Sequence, residues 1–141
     1  MNTSIGQNWV VDHIGVCVAD LEQAIAVYRN TTGATVALRE TLESQGVELV
    51  FLSTGETKIE LLSPLRPDST LGRFLHKRGP GLHHICYRVT DIRFELKRLA
   101  GLGLRLIDTQ PRSGAGGTQI AFIHPDSCLG TLTEICEYSS T

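Results

Sequence analysis

The segment VDHIGVCVAD (11–20) returns 71 residues later as LHHICYRVTD (82–91), and this duplication limits the possible folds more than any other feature. The same offset lays VELVFL (47–52) over TQIAFI (118–123), and an offset of 74 lays KIELLS (58–63) over LTEICE (132–137). A chain built of two like copies is expected to fold as two like modules. Neither copy alone covers both faces of the small sheet it encodes, so packing the two side by side is expected to form a groove.

Each copy reads as strand, helix, strand, strand, strand. In the first, WVVDHIGVCV (9–18) is an apolar strand. Leu21, Ala24, Ile25 and Tyr28 then follow one helix face, with Asp20 as the cap and Gly33 as the stop. Strand-like runs at 35–41, 46–53 and 57–63 complete it, separated by turn residues. In the second, GLHHICYRV (81–89) is the strand and Ile92, Leu96 and Leu99 mark the helix stripe. RLID, TQIAFIH and TLTEICE supply three more strands. The predicted architecture is α+β. It has two tandem βαβββ modules, 9–63 and 81–138, within one domain spanning 1–141. The linker, 64–80, carries a short amphipathic helix (Leu71, Phe74, Leu75).

Composition agrees with a packed domain. With 141 residues, 41% of them hydrophobic, the chain can bury roughly two-thirds of its unfolded surface. A formal charge of −2 disfavours nucleic acid and anionic membranes as partners, and no apolar run reaches transmembrane length. The opening MNTSIGQNWV lacks a basic segment followed by an apolar one, so no secretory signal is expected. The cytoplasm is the expected location, or the mitochondrial matrix if a transit peptide has been removed. Cys17, Cys86, Cys128 and Cys136 have no C-x-x-C spacing and are expected to be reduced.

Polar residues that break the apolar strands carry the chemistry. His13 alternates with Ile14, Val16 and Val18, and His84 holds the matching place in the second copy. Glu60 lies between Ile59 and Leu61, and Glu134 between Thr133 and Ile135. The repeat thus supplies a histidine early on its first strand and a glutamate in its last, twice. Two imidazoles and two carboxylates suit a divalent ion such as Co2+, Mn2+, Ni2+ or Zn2+. Glu48 is a further outlier, on the strand face of Val50 and Leu52; Gln119 is its counterpart. His83 should point away from His84, and His124, before Pro125, suits a turn.

The stretches VDHIGVCVADLEQAIAVYR, ESQGVELVFL, ETKIELLSPLRPDSTLGRFL, GPGLHHICYRVTDI, RSGAGGTQIAFIHP and GTLTEICE resemble the methylmalonyl-CoA epimerase family. That family lies in the vicinal oxygen chelate (glyoxalase-like) superfamily. The resemblance runs from about Val10 to Tyr138; the DHIG opening is common to the superfamily, whereas QGV-x-L-V-F, KIELLSPL and GLHHI are more specific. It implies a homodimer and a metal-containing groove, Co2+ favoured, with ligands His13, Glu60, His84 and Glu134. It also implies methylmalonyl-CoA as substrate, inverted at C2 through an enolate, with Glu48 as one acid/base group and Glu134 as the other. Arg73, Lys77, Arg78 and Arg112 are candidate contacts for coenzyme A phosphates. The competing readings are a glyoxalase I-type lactoylglutathione lyase, which uses a similar metal set, and a non-catalytic small-molecule-binding member of the fold.

Overall fold

The computed structural model describes residues 8–139, so most of the opening segment read above for a secretory signal lies outside the described residues. Eight strands, three α-helices and three short 3-10 turns make up the regular structure there. They run β1 (Val10–Cys17), α1 (Leu21–Thr32), β2 (Thr35–Leu42), β3 (Val47–Ser53), β4 (Lys58–Pro64) and α2 (Thr70–Arg78). The second copy follows with β5 (Gly81–Arg88), α3 (Ile92–Gly101), β6 (Arg112–Ser113), β7 (Gln119–Ile123) and β8 (Thr133–Glu137). The α+β class and the repeated βαβββ order agree with the sequence reading.

The chain divides into two compact units. One is His13–His83; the other begins at His84 and also takes in the described residues before His13. The first unit has sheet order β2-β3-β4-β1, with β1 parallel to β4 and the other pairs antiparallel. Asp20 caps α1 by accepting the Gln23 N–H, and Gly33 ends it at φ 74°, a left-handed turn that glycine adopts without a Cβ penalty. Between these stops, Leu21, Ala24 and Ile25 bury against Val16, Val50, Leu52 and Leu61. Strand alternation sends His13, Leu49, Phe51 and Glu60 to the opposite face.

The second unit repeats this as β5-β8-β7-β6, with β5 parallel to β8. Asp91 caps α3, whose Ile92, Leu96 and Leu99 pack on Val89, Ala121, Ile123 and Ile135. An apolar cavity of about 410 Å³ opens on this helix side, lined in part by Trp9, Tyr87 and Leu99. Trp9 lies by sequence in the first copy but packs here: its indole N–H donates to Glu95 at 3.1 Å and its ring meets Tyr87 at 5.7 Å. Asp12 likewise accepts the Tyr138 hydroxyl at 2.7 Å.

One expected strand is absent. RLID forms only a single bridge, Leu106 to Ile123, while Ile107 and Asp108 both donate to the Phe122 carbonyl. The edge strand comes later and is short, Arg112–Ser113. The linker helix is present as α2, capped by Ser69. Gly72 is required there, since a Cβ would stand 2.4 Å from the Arg66 carbonyl oxygen.

Candidate metal centre

In each unit the first and last strands run parallel and adjacent, which brings the singled-out residues together. Gly15 is registered on Glu60, so His13, two residues earlier on the same face, reaches it diagonally. His13 Nε2 stands 3.2 Å from Glu60 Oε1. In the second unit Cys86 is registered on Glu134, and His84 Nε2 stands 3.0 Å from Glu134 Oε1. All four residues are buried, between 4% and 5% exposed. Ionisable groups held this deep need partners or a bound ion to offset their lost hydration.

The donor chemistry fits a divalent ion. Imidazole nitrogen and carboxylate oxygen each bind such ions at about 2.1 Å, and two such donors at a right angle lie about 3.0 Å apart. The observed spacings match that edge in both units. Each unit therefore offers a two-donor His/Glu pair that could hold a metal.

Two further residues belong to this arrangement and escaped sequence reasoning. Phe51 is registered on Glu60 and sets its ring edge-on to His13 at 4.9 Å. Phe122 is registered on Glu134 and meets His84 in the same way at 5.7 Å. The two phenylalanines are 71 residues apart, so the repeat carried the signal. Each ring also has a cation over it, Lys58 at 5.9 Å from Phe51 and Arg112 at 5.5 Å from Phe122. An imidazole wedged by a ring in this way keeps its orientation.

Glu48 lies where its parity with Val50 and Leu52 put it, and that is the α1 side of the sheet rather than the face of the His/Glu pair. Its carboxylate accepts from Arg39 at 3.2 Å, and Arg39 also pairs with Glu22 of α1. These two contacts, Glu22 first, hold the guanidinium above its usual pKa. The β3 residue on the face of His13 and Glu60 is Leu49, next to Glu48.

His83 and His124 have structural partners. His83 packs edge-on against Phe74 of α2 at 4.7 Å, and His124 Nδ1 accepts the Asp126 N–H to close a turn. All four cysteines are free thiols. Burial raises the Cys17 thiol to about 11 and pushes Cys86 up as well, so both stay protonated and unreactive near neutrality. Arg73 binds the Asp68 carbonyl, and Arg78 lies over Phe74 at 5.5 Å.

Comparison with known proteins follows this geometry. A family model described as Glyoxalase/Bleomycin resistance protein/Dioxygenase superfamily matches residues 12–122, and the chain belongs to that superfamily. Within it, similar proteins include methylmalonyl-CoA epimerases, isomerases that act on a CoA thioester. The ethylmalonyl-CoA/methylmalonyl-CoA epimerase of Cereibacter sphaeroides is 41% identical over 127 residues, covering 89% of this chain and 95% of that protein. The mitochondrial methylmalonyl-CoA epimerase of Bos taurus is 39% identical, with coverage of 89% and 72%. A solved methylmalonyl-CoA epimerase in complex with methylmalonyl-CoA and NH4+ superposes with a TM-score of 0.90 at 34% identity, covering 95% of this chain and 97% of that one.

Proposed function

We propose that this protein interconverts the 2R and 2S forms of methylmalonyl-CoA, and that His13, Glu60, His84 and Glu134 together hold one divalent ion, with Co2+ favoured. The observation that carries this reading is the buried His/Glu pair found at repeat-related positions in both units. The chemistry such an ion supplies when bound is Lewis-acid stabilisation of the charge that develops as C2 loses its proton.

The chain's own residues do the rest. Glu134 is the carboxylate assigned to accept or return the C2 proton on one side of the substrate. Glu48 lies on the helix side of its sheet, so the second role passes to Glu60, the repeat-related carboxylate. Phe51 and Phe122 keep the imidazoles in register and exclude water beside them. The homodimer and the cytoplasmic location belong to the same proposal. No helix among the described residues is long and apolar enough to cross a membrane.

The test is exchange at C2 of one methylmalonyl-CoA stereoisomer in D2O, followed by NMR with metal-stripped and then cobalt-restored protein beside an enzyme-free blank. Metal-dependent deuterium uptake with appearance of the other isomer is expected. Protein that has bound cobalt yet shows no exchange above the blank would remove the assigned chemistry and direct the search to methylglyoxal with glutathione.

A further inference from the structure

We infer that Arg112 reads the free carboxylate of the acyl group and so selects malonyl-type thioesters over simple acyl-CoA; this rests on the epimerase reading. Arg112 is registered on Ile120, which places it on the sheet face that carries Phe122, Glu134 and His84. Its guanidinium stands over Phe122, and the same ring touches His84, so a single aromatic side chain separates the cation from the metal-ligating imidazole.

The position is fixed from behind. Asp108 accepts the Phe122 N–H at 2.9 Å through one oxygen and holds Arg112 Nε at 3.3 Å through the other. Contact through Nε leaves the two terminal nitrogens as a fork of the kind that binds carboxylates with two parallel hydrogen bonds. The loop behind Arg112 is tied by Gly114 N–H to the Thr118 carbonyl at 2.9 Å. A Cβ at Gly114 would stand 2.5 Å from Ile120, so this close return needs glycine. The Arg112 side chain is still 44% exposed and can meet a ligand.

Distance along the substrate decides which anion it meets. The malonyl carboxylate is borne by the carbon being inverted, whereas the phosphates of coenzyme A lie beyond the pantetheine arm. A cation one ring away from His84 suits the former. Lys58 holds the equivalent place over Phe51 but offers a point charge rather than a fork.

Calorimetric titration of metal-loaded protein with methylmalonyl-CoA, propionyl-CoA and coenzyme A separates the possibilities. Arg112→Gln is expected to weaken methylmalonyl-CoA by about 10- to 100-fold while leaving the other two within about 2-fold, and Arg112→Lys to recover part of the loss. Equal loss for all three would assign Arg112 to a phosphate and overturn the inference. No loss for any would do so too, as would a selective loss in Lys58→Gln with Arg112→Gln unaffected. Deuterium exchange by the wild type, measured alongside, tells these failures from failure of the epimerase reading, in which exchange itself is missing.

Discussion

Glu48 and Glu134 are both strand glutamates beside apolar neighbours, yet a single step in strand parity separates their surroundings. Glu134 is buried against His84, whereas Glu48 lies at the margin of the α1 layer between Arg39 and solvent. Glu134→Gln is therefore expected to lower C2 exchange by at least about 100-fold, the scale of losing a positioned acid/base group. Glu48→Gln is expected to leave exchange within about 3-fold, and to cost no more than the roughly 1 kcal/mol of an exposed ion pair. The D2O assay checks the first expectation and urea unfolding the second. The correct face was legible, since alternation alone puts Glu48 with Val50 and Leu52. The family resemblance outweighed that parity. Phe51 and Phe122 were legible in the same sense, as identical residues at the repeat offset, but apolar residues in apolar strands attract no notice.

At the scale of elements, caps and periodicity were the most readable features, because they depend on neighbours in sequence. Asp20, Gly33 and the α1 stripe all fall where local chemistry puts them. RLID was misread because its apolar pattern is met by one bridge and two hydrogen bonds to a carbonyl rather than by a ladder. Trp9 reads as the start of the first strand, and its packing in the second unit could not be seen because its partner Glu95 lies 86 positions away. Two tests belong here. Gly72→Ala forces a methyl against two backbone carbonyls and should cost about 1–3 kcal/mol or more, read from the urea midpoint. The raised Cys17 thiol gives a sign for alkaline pH. A folded pKa of about 11 against an unfolded one near 8.5 means that the stability it contributes is complete below 8.5 and is lost as pH rises towards 11. Unfolding free energy should fall across that window, and less so in Cys17→Ala.

For the whole molecule, the duplication was the most legible fact and the metal the least. Repeats show in the letters, but an ion's identity depends on donor geometry and on what the cell supplies. If one ion is held by ligands from both copies, binding favours the folded chain by mass action. At free cobalt about 100-fold above the dissociation constant, stabilisation should reach about 2.7 kcal/mol. Thermal melts with and without a chelator should show that difference, and His84→Ala should abolish it while still melting cooperatively.

The two copies have not aged equally. Strand β2 keeps eight residues, while its partner in the second copy, β6, keeps two and leaves a glycine-bearing stretch before β7. A duplicated gene can hold one half to the original plan and let the other wander. In this chain the wandering half is the one that delivers Arg112. Selection for a bulkier acyl group would therefore have its easiest material between Ile107 and Thr118, where length can change without unpicking a long ladder. A library confined to those positions, with Asp108, Arg112 and Gly114 held fixed, is the natural starting point for testing larger acyl substituents.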